Sequence, residues 1–203
     1  MDNMGVLFLT STGLSADEVY EKFKSITDQN KLKNVVIITT ASLGKEKNQY
    51  SQLAFEQLET MGFDSIDFYD FESDSPKSLS SYDVIYVCGG NTFKLMKFAR
   101  TFKFDEEIKS LLKRGGAYIG VSAGSLIVGP SIQIANEVHP DRNEVGLTDF
   151  TGFNITELII FPHYSSELED DIKLFEEKNG VDVTRLTNTQ AILIENGKKN
   201  LIG

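Results

Sequence analysis

Short apolar runs rich in β-branched residues alternate along this chain with segments of helical periodicity, and this alternation constrains the fold most. The runs are Val6–Thr10, 35–39, 66–71, Val84–Val87 and Ala117–Val121. Strands separated by helices predict parallel pairing, because a parallel connection needs a crossover. Runs without apolar–polar alternation are typical of strands that are buried on both faces. The sequence therefore predicts an α/β fold, a doubly wound and mostly parallel sheet with helices on both faces.

The segments between these runs carry helix signals. A capping box, Ser15-x-x-Glu18, predicts a helix that continues to about residue 30. Residues 45–61 place apolar side chains at helical spacing, and Gly62 follows them as a helix-ending residue. Further helices are predicted over 92–100, 105–114 and 166–179.

The last third of the chain is predicted to add strands at one edge of the sheet. A strand is predicted at 155–161, and the segments 182–187 and Ala191–Glu195 read as antiparallel strands, with Asn196-Gly197 as a hairpin turn. Residues 131–153 lack a regular pattern, and loops of that length inside a compact domain are usually functional. Since no linker or repeat interrupts the pattern, residues 1–203 are expected to form a single domain.

Composition excludes several classes of function. The chain has 203 residues with 30 acidic against 20 basic side chains, a net charge of −10. Nucleic acids and anionic membranes are bound by clustered Lys and Arg, so neither is expected as a partner. No apolar stretch is long enough to span a membrane, and the N-terminus lacks a signal peptide, so a cytoplasmic protein is expected.

Cofactor and metal sites are not indicated. The chain has neither a G-x-G-x-x-G sequence nor a Walker loop. Its two histidines and one cysteine do not have the spacing of metal ligands. The cysteine, Cys88, cannot form an internal disulfide, and it is expected to be a buried core thiol rather than a nucleophile.

Residues 120–124 read Gly-Val-Ser-Ala-Gly between a predicted strand and a predicted helix. A Gly-x-Ser-x-Gly sequence in that setting describes a nucleophile elbow, a turn so tight that only glycine fits on either side of the serine. The pattern predicts a serine hydrolase with Ser122 as the nucleophile.

The serine needs a base, and the chain offers His163 and His139. His163 is favoured because it follows a predicted strand directly, whereas His139 lies in the irregular region. The base in turn needs a carboxylate to orient its ring. Glu137 and Glu195 are both candidates, and the residues alone do not choose between them.

The oxyanion of the reaction needs backbone N–H donors beside the nucleophile. Ala123 supplies one because it follows Ser122. Gly90, in the Gly-Gly-Asn-Thr sequence at 89–92, could supply a second. The alternative is a plain strand-to-helix turn in which Asn91 or Thr92 caps the helix.

Taken together, these segments resemble the peptidase E family of serine peptidases, the aspartyl dipeptidase and cyanophycinase relatives. The matching stretches are Val-Cys-Gly-Gly-Asn-Thr at 87–92, Ala-Tyr-Ile-Gly-Val-Ser-Ala-Gly at 117–124, Val-Gly-Pro-Ser-Ile at 128–132 and Phe-Pro-His-Tyr at 161–164. Their order and spacing match closely over about residues 80–165, and the rest of the chain agrees in its α/β pattern.

The resemblance implies a class I glutamine amidotransferase-like fold and a serine peptidase that forms an acyl-enzyme, with short peptides as substrates and no cofactor. It implies Ser122 as nucleophile, His163 as base and Glu137 as acid, the last from the Asn-acid sequence at 136–137. Gly90 and Ala123 would form the oxyanion hole. The protein is expected to be a monomer or a homodimer.

One departure from the family concerns specificity. Members that cleave after an N-terminal aspartate look to use a basic side chain shortly beyond the histidine, but residues 165–171 contain acids and no Arg. The nearest following base is Lys173, and Arg142 or Arg100 could supply the charge from elsewhere. Cleavage of Asp-Xaa dipeptides is therefore expected to be poor. A non-catalytic ligand-binding module and an esterase or amidase are the alternative functions.

Overall fold

The computed structural model describes residues 5–203, which form an α/β structure around a seven-stranded sheet. The strands are β1 (Val6–Thr10), β2 (Asn34–Ile38), β3 (Ser65–Tyr69), β4 (Val84–Val87), β5 (Ala117–Val121), β6 (Ile159–Phe161), β7 (Val183–Arg185), β8 (Ala191–Glu195) and β9 (Lys198–Ile202). The helices are α1 (Asp17–Asn30), α2 (Gln49–Thr60), α3 (Thr92–Phe102), α4 (Phe104–Lys113), α5 (Ala123–Leu126), α6 (Ile134–Glu137) and α7 (Glu169–Asn179).

The main sheet has the order β3-β2-β4-β5-β1-β8-β9. The pairs from β3 to β1 are parallel, while β8 runs antiparallel to β1 and β9 antiparallel to β8. Thr10 is level with Val121 in the register, so β1 and β5 end at the same edge. The predicted mostly parallel sheet with a short antiparallel edge is confirmed.

Helices cover both faces of this sheet, as the two hydrophobic clusters show along β4. Val84 and Tyr86 belong to a cluster with residues of α1 and α2. Ile85 and Val87 belong to a second cluster with residues of α3 and α4. Because successive side chains of a strand point to opposite faces, this division places the first pair of helices on one side and the second pair on the other.

The predicted strand at 155–161 is shorter and lies elsewhere than expected. Only β6 is a strand, and it pairs in parallel with β7 as a separate two-stranded sheet. The N–H groups of Ile155 and Thr156 instead donate to the carbonyl of Val128, which ties that segment to the chain after α5. The antiparallel edge is formed by β8 and β9 alone, with Asn196 and Gly197 at positive φ in the turn between them.

The predicted start of α1 and the predicted end of α2 had different outcomes. The prediction of a capping box at Ser15 is wrong, because Ser15 Oγ donates to the carbonyl of Thr12 and α1 begins at Asp17 with no side-chain cap. The end of α2 is as predicted, with Gly62 at a φ of 85° just beyond the helix. Among residues 5–203, no helix is long and apolar enough to cross a membrane.

Candidate active site

Ser122 lies in a strained turn between β5 and α5. Its backbone has φ 49° and ψ −107°, a conformation that a serine adopts only at an energetic cost of about 1–3 kcal/mol. Its N–H donates to the carbonyl of Thr10, and its own carbonyl accepts from the N–H groups of Ser125 and Leu126. The end of β1 and the start of α5 therefore hold the turn, which has the geometry of a nucleophile elbow.

The glycines on either side of Ser122 are required by close packing. A Cβ atom on Gly120 would lie 2.6 Å from the carbonyl carbon of Gly124. A Cβ atom on Gly124 would lie 2.7 Å from the carbonyl oxygen of Val87, in β4. Any side chain at these two positions would push the elbow away from the sheet, which explains the Gly-x-Ser-x-Gly pattern.

His163 follows β6 through Pro162, and its ring meets the serine. The Nε2 atom lies 3.0 Å from Ser122 Oγ. The backbone of His163 has a φ of 57°, and its N–H donates to Ser11 Oγ at 3.1 Å. The Ser11 hydroxyl in turn donates to the carbonyl of Leu186 at 2.9 Å. The structure thus brings the predicted nucleophile and the favoured base into hydrogen-bond contact.

The other ring nitrogen of His163 contacts an amide rather than a carboxylate. Nδ1 lies 2.8 Å from Asn188 Oδ1, and the Asn188 carbonyl accepts from the Thr12 hydroxyl at 2.6 Å. With Nδ1–H as the donor to this oxygen, Nε2 is the acceptor for the Ser122 hydroxyl. Sequence reasoning missed Asn188. The feature that could have indicated Asn188 is its position just beyond β7. The carboxyl end of β7 lies beside the carboxyl end of β6, which precedes His163.

Glu137 makes its contacts elsewhere. Its carboxylate accepts from Lys178 Nζ at 2.8 Å and from Gln133 Nε2. These hydrogen bonds, that from Lys178 first, lower the pKa of Glu137 below its usual range. The structure does not bring Glu137 to His163, because α6 directs its carboxylate toward α7. Glu195, the other candidate, is the register partner of Lys198 in β9 and lies at the amino end of β1, at the opposite edge of the sheet from Ser122.

His139, the other candidate base, is exposed and has a φ of 48°. It lines a cavity beside Ser122 but makes no hydrogen bond to another residue within 5–203.

The backbone N–H groups of Gly90 and Ala123, both beside Ser122, have no acceptor among the described residues. Gly90 has a φ of 136°, and a Cβ atom there would lie 2.1 Å from the carbonyl oxygen of Ala41. Asn91 caps α3 by accepting from the Lys94 N–H at 2.8 Å. The turn at residues 89–92 therefore caps α3 and also leaves the Gly90 N–H without an acceptor among the described residues.

Two cavities flank Ser122 and His163. The larger one has a volume of about 760 Å³ and lies between β1, β4 and α2. Apart from His163, it is lined by uncharged residues, and its rim includes the exposed side chains of Leu43, Tyr50 and Leu53. The smaller one, of about 210 Å³, contains the apolar side chains of Leu126, Ile134 and Phe161 together with His139 and Asp141.

The basic residues named for substrate binding do not line either cavity. Lys173 pairs with Glu169, Arg142 with Glu144 and Arg100 with Asp149. Within residues 5–203, no group of His, Cys, Asp and Glu side chains could hold a metal ion.

Cys88 lies at the end of β4 on the wall of the larger cavity and is 4% exposed. Burial raises the pKa of its thiol to about 11, and its Sγ contacts the Ser51 hydroxyl at 3.6 Å. The prediction of a buried thiol is confirmed.

The model of peptidase family S51 matches residues 7–202. The chain belongs to peptidase family S51. Its relatives in the family include an uncharacterized peptidase of Listeria monocytogenes, 30% identical over 93% of each chain. An uncharacterized peptidase of Pasteurella multocida is 29% identical over 98% of each chain. Peptidase E of a Nostoc strain is 25% identical over 79% of this chain and 65% of its own length.

Solved structures agree with this S51 assignment. The crystal structure of a Listeria monocytogenes protein assigned to peptidase E has a TM-score of 0.78 and 28% identity, with 98% of each chain covered. A peptidase from an acI-B1 actinobacterium shares the fold, with a TM-score of 0.72 at 20% identity over 100% of this chain and 88% of the other. The resemblance to peptidase E is confirmed, and at the level of the family the chain is a peptidase.

Proposed function

We propose that this S51 member is a serine peptidase that hydrolyses short peptides with Ser122 as nucleophile and His163 as base. The observation that supports this most is the 3.0 Å contact between His163 Nε2 and the hydroxyl of a serine in an elbow conformation. An isolated serine hydroxyl is a weak nucleophile, and a hydrogen-bonded imidazole activates it.

The proposed reaction uses these contacts as follows. Ser122 Oγ attacks the scissile carbonyl while its proton passes to His163 Nε2, and the N–H groups of Gly90 and Ala123 donate to the oxyanion. The imidazolium then protonates the leaving amine, and an acyl-enzyme ester remains on Ser122. Water then attacks this ester while His163 takes its proton, and the imidazolium returns that proton to Ser122 Oγ as the acid product leaves, which restores the serine.

Asn188 takes the orienting position in this proposal. Its amide oxygen accepts the Nδ1 proton and so holds the ring in the tautomer that presents Nε2 to the serine. Cysteine peptidases of the papain type use an asparagine in the same role. Glu137 is assigned a structural contact with α7 instead.

Labelling with a fluorophosphonate probe tests the proposal, because only an activated serine reacts. Wild type should be labelled, Ser122→Ala and His163→Ala should not, and Ser165→Ala, which changes an exposed serine near the site, serves as the control. Ser122→Ala should also lower kcat for dipeptides by about 10⁴-fold or more while the protein stays folded.

Three results would contradict the proposal. Retention of more than about a tenth of the wild-type turnover in Ser122→Ala would remove the serine from the mechanism. Peptide binding without labelling would indicate a non-catalytic binding module. Turnover of esters without any turnover of peptides would indicate an esterase or amidase.

Substrates with an N-terminal aspartate are proposed to be poor. No Lys or Arg of the described residues lines either cavity, so an acidic side chain would be desolvated without a partner. We expect kcat/KM for Asp-Leu to fall below that for Ala-Leu by about a hundredfold. Equal rates for the two dipeptides would show that a cation reaches the site.

A further inference from the structure

Among residues 5–203, Asp141 supplies the one carboxylate in the lining of the smaller cavity beside Ser122. The other titratable groups of this lining are His139 and His163, and no Lys or Arg of the described residues contributes to it. The cavity therefore combines apolar walls with one acidic group next to the reacting hydroxyl.

Asp141 is held by hydrogen bonds of its side chain and its main chain, although it lies in the long loop after α6. Its Oδ2 accepts from the Thr92 N–H at 2.8 Å, and its own N–H donates to the carbonyl of Ala135 at 2.9 Å. Next to it, Asn91 Nδ2 donates to the Arg142 carbonyl at 2.7 Å. These bonds attach the loop to the start of α3, directly after the turn that contains Gly90.

The charge of Asp141 has no cationic partner among residues 5–203. Its Oδ1 receives no hydrogen bond from a described residue, and no ion pair includes it. The nearby bases are paired elsewhere, Arg142 with Glu144 and Lys178 with Glu137. A capping role toward Thr92 uses one oxygen and leaves the second available to a ligand.

We propose that Asp141 is a specificity-determining residue that binds a primary ammonium group of the substrate. The ammonium is either the α-amino group or a lysine side chain, and both offer the same donors to a fixed carboxylate. The apolar walls of the cavity strengthen such a contact, because they exclude water around it. This inference rests on the proposed function, since it assigns the cavity beside Ser122 to the substrate.

Binding measurements on the Ser122→Ala protein at pH 7 test it without turnover. The ligands are Ala-Leu, N-acetyl-Ala-Leu and N-acetyl-Lys-Leu, measured by calorimetry. A free α-amino group is mostly protonated at this pH. If the α-amino group is bound, Ala-Leu binds about tenfold or more tightly than N-acetyl-Ala-Leu. If a side chain is bound, N-acetyl-Lys-Leu has that advantage instead.

Asp141→Asn on the same background should remove this preference. The amide keeps the shape and an oxygen that accepts from Thr92, so the loop remains attached while the charge is lost. Its affinity for N-acetyl-Ala-Leu should stay unchanged. Glu144→Gln is the matched control, because Glu144 is an exposed acid of the same loop that lines neither cavity, and it should keep the full preference.

An equal affinity for all three peptides, or a preference that survives Asp141→Asn, would overturn the assignment even if Ser122 reacts with fluorophosphonate. In contrast, failure of Ser122 to react, with a preference that depends on Asp141, would overturn the proposed hydrolysis and keep the ammonium site.

Discussion

In the proposed mechanism the amide of Asn188 takes the orienting position, so the ring of His163 is fixed without help from a negative charge. Asn188 Oδ1 accepts from Nδ1, but an amide cannot stabilise the imidazolium of the transition state as a carboxylate does. The position of the ring therefore depends on hydrogen bonds to the backbone. The Ser11 hydroxyl accepts from the N–H of His163, and the Thr12 hydroxyl donates to the backbone carbonyl of Asn188.

Substitutions of Asn188 should distinguish the orientation of the His163 ring from the stabilisation of its positive charge. Asn188→Ala should lower kcat by about a hundredfold, because the ring loses its fixed tautomer. Asn188→Asp should be more active than Asn188→Ala. Its kcat/KM should begin to fall at a higher pH than that of wild type as the solution is acidified, because a carboxylate stabilises the protonated ring of His163. Wild-type kcat in Asn188→Ala would show that the contact has no catalytic role.

Glu137→Gln should leave kcat within about threefold of wild type, because its carboxylate contacts Lys178 and not His163. Its effect should be on stability. The pKa of Glu137 is lowered in the folded protein, so its contribution is present above the ordinary pKa and is lost as pH falls below it. Urea unfolding should show a loss of less than about 1 kcal/mol at pH 7 that diminishes as the pH falls through the lowered pKa of Glu137. A drop in kcat of about 10⁴-fold would instead support Glu137 as the acid that orients His163.

At the level of elements, the proposed nucleophile and the proposed base lie on different sheets. Ser122 follows β5 of the main sheet, whereas His163 follows β6 of the two-stranded sheet. Ser11, at the end of β1, connects them, because its hydroxyl accepts from the His163 N–H and donates to the Leu186 carbonyl. The alignment of the site depends on this buried link.

Ser11→Ala should lower kcat more than it changes KM, because it frees the backbone of His163. It should also destabilise the protein by about 1–3 kcal/mol, since the partly buried N–H of His163 loses its acceptor. Steady-state kinetics and chemical unfolding measure the two effects. Ser165→Ala, which removes an exposed hydroxyl that lines neither cavity, is the control and should change neither. Equal effects of the two variants would contradict the role of Ser11.

The parts of the fold with tight steric demands were predictable from sequence. The elbow requires glycine at 120 and 124, so it leaves a local pattern, and β5 was predicted with its observed bounds. The pairing of β6 with β7 was not predictable, because a buried strand has the same pattern in either sheet. Asn188 and His163 are 25 residues apart in irregular segments, and their contact exists only in the folded structure. The contact of Glu137 with Lys178 is likewise tertiary.

At the scale of the whole molecule, the excess of acidic side chains sets the surrounding field. With a net charge of −10, the protein attracts cations and repels anions at low ionic strength. In the proposed reaction a substrate reaches Ser122 through this field, and no Lys or Arg among residues 5–203 lines either cavity to reverse the sign locally.

Salt should therefore affect charged dipeptides in opposite directions. Between low salt and about 0.5 M, kcat/KM should fall about two- to fivefold for Lys-Leu, stay constant for Ala-Leu and rise for Asp-Leu, because ions screen the field. Measurements at constant pH provide the test. If kcat/KM changed in the same direction for all three dipeptides, the salt would be acting on the enzyme itself and not on the attraction between its charge and that of the substrate.

The burial of Cys88 has a practical consequence for experiments in solution. With a pKa of about 11, about one thiol in ten thousand is ionised at pH 7, so alkylating reagents find almost no reactive sulfur in the natural chain. Ser165→Cys would then place a single accessible thiol close to His163. A fluorophore coupled to that thiol would report in real time on peptides entering and leaving the site, with no background from a second label.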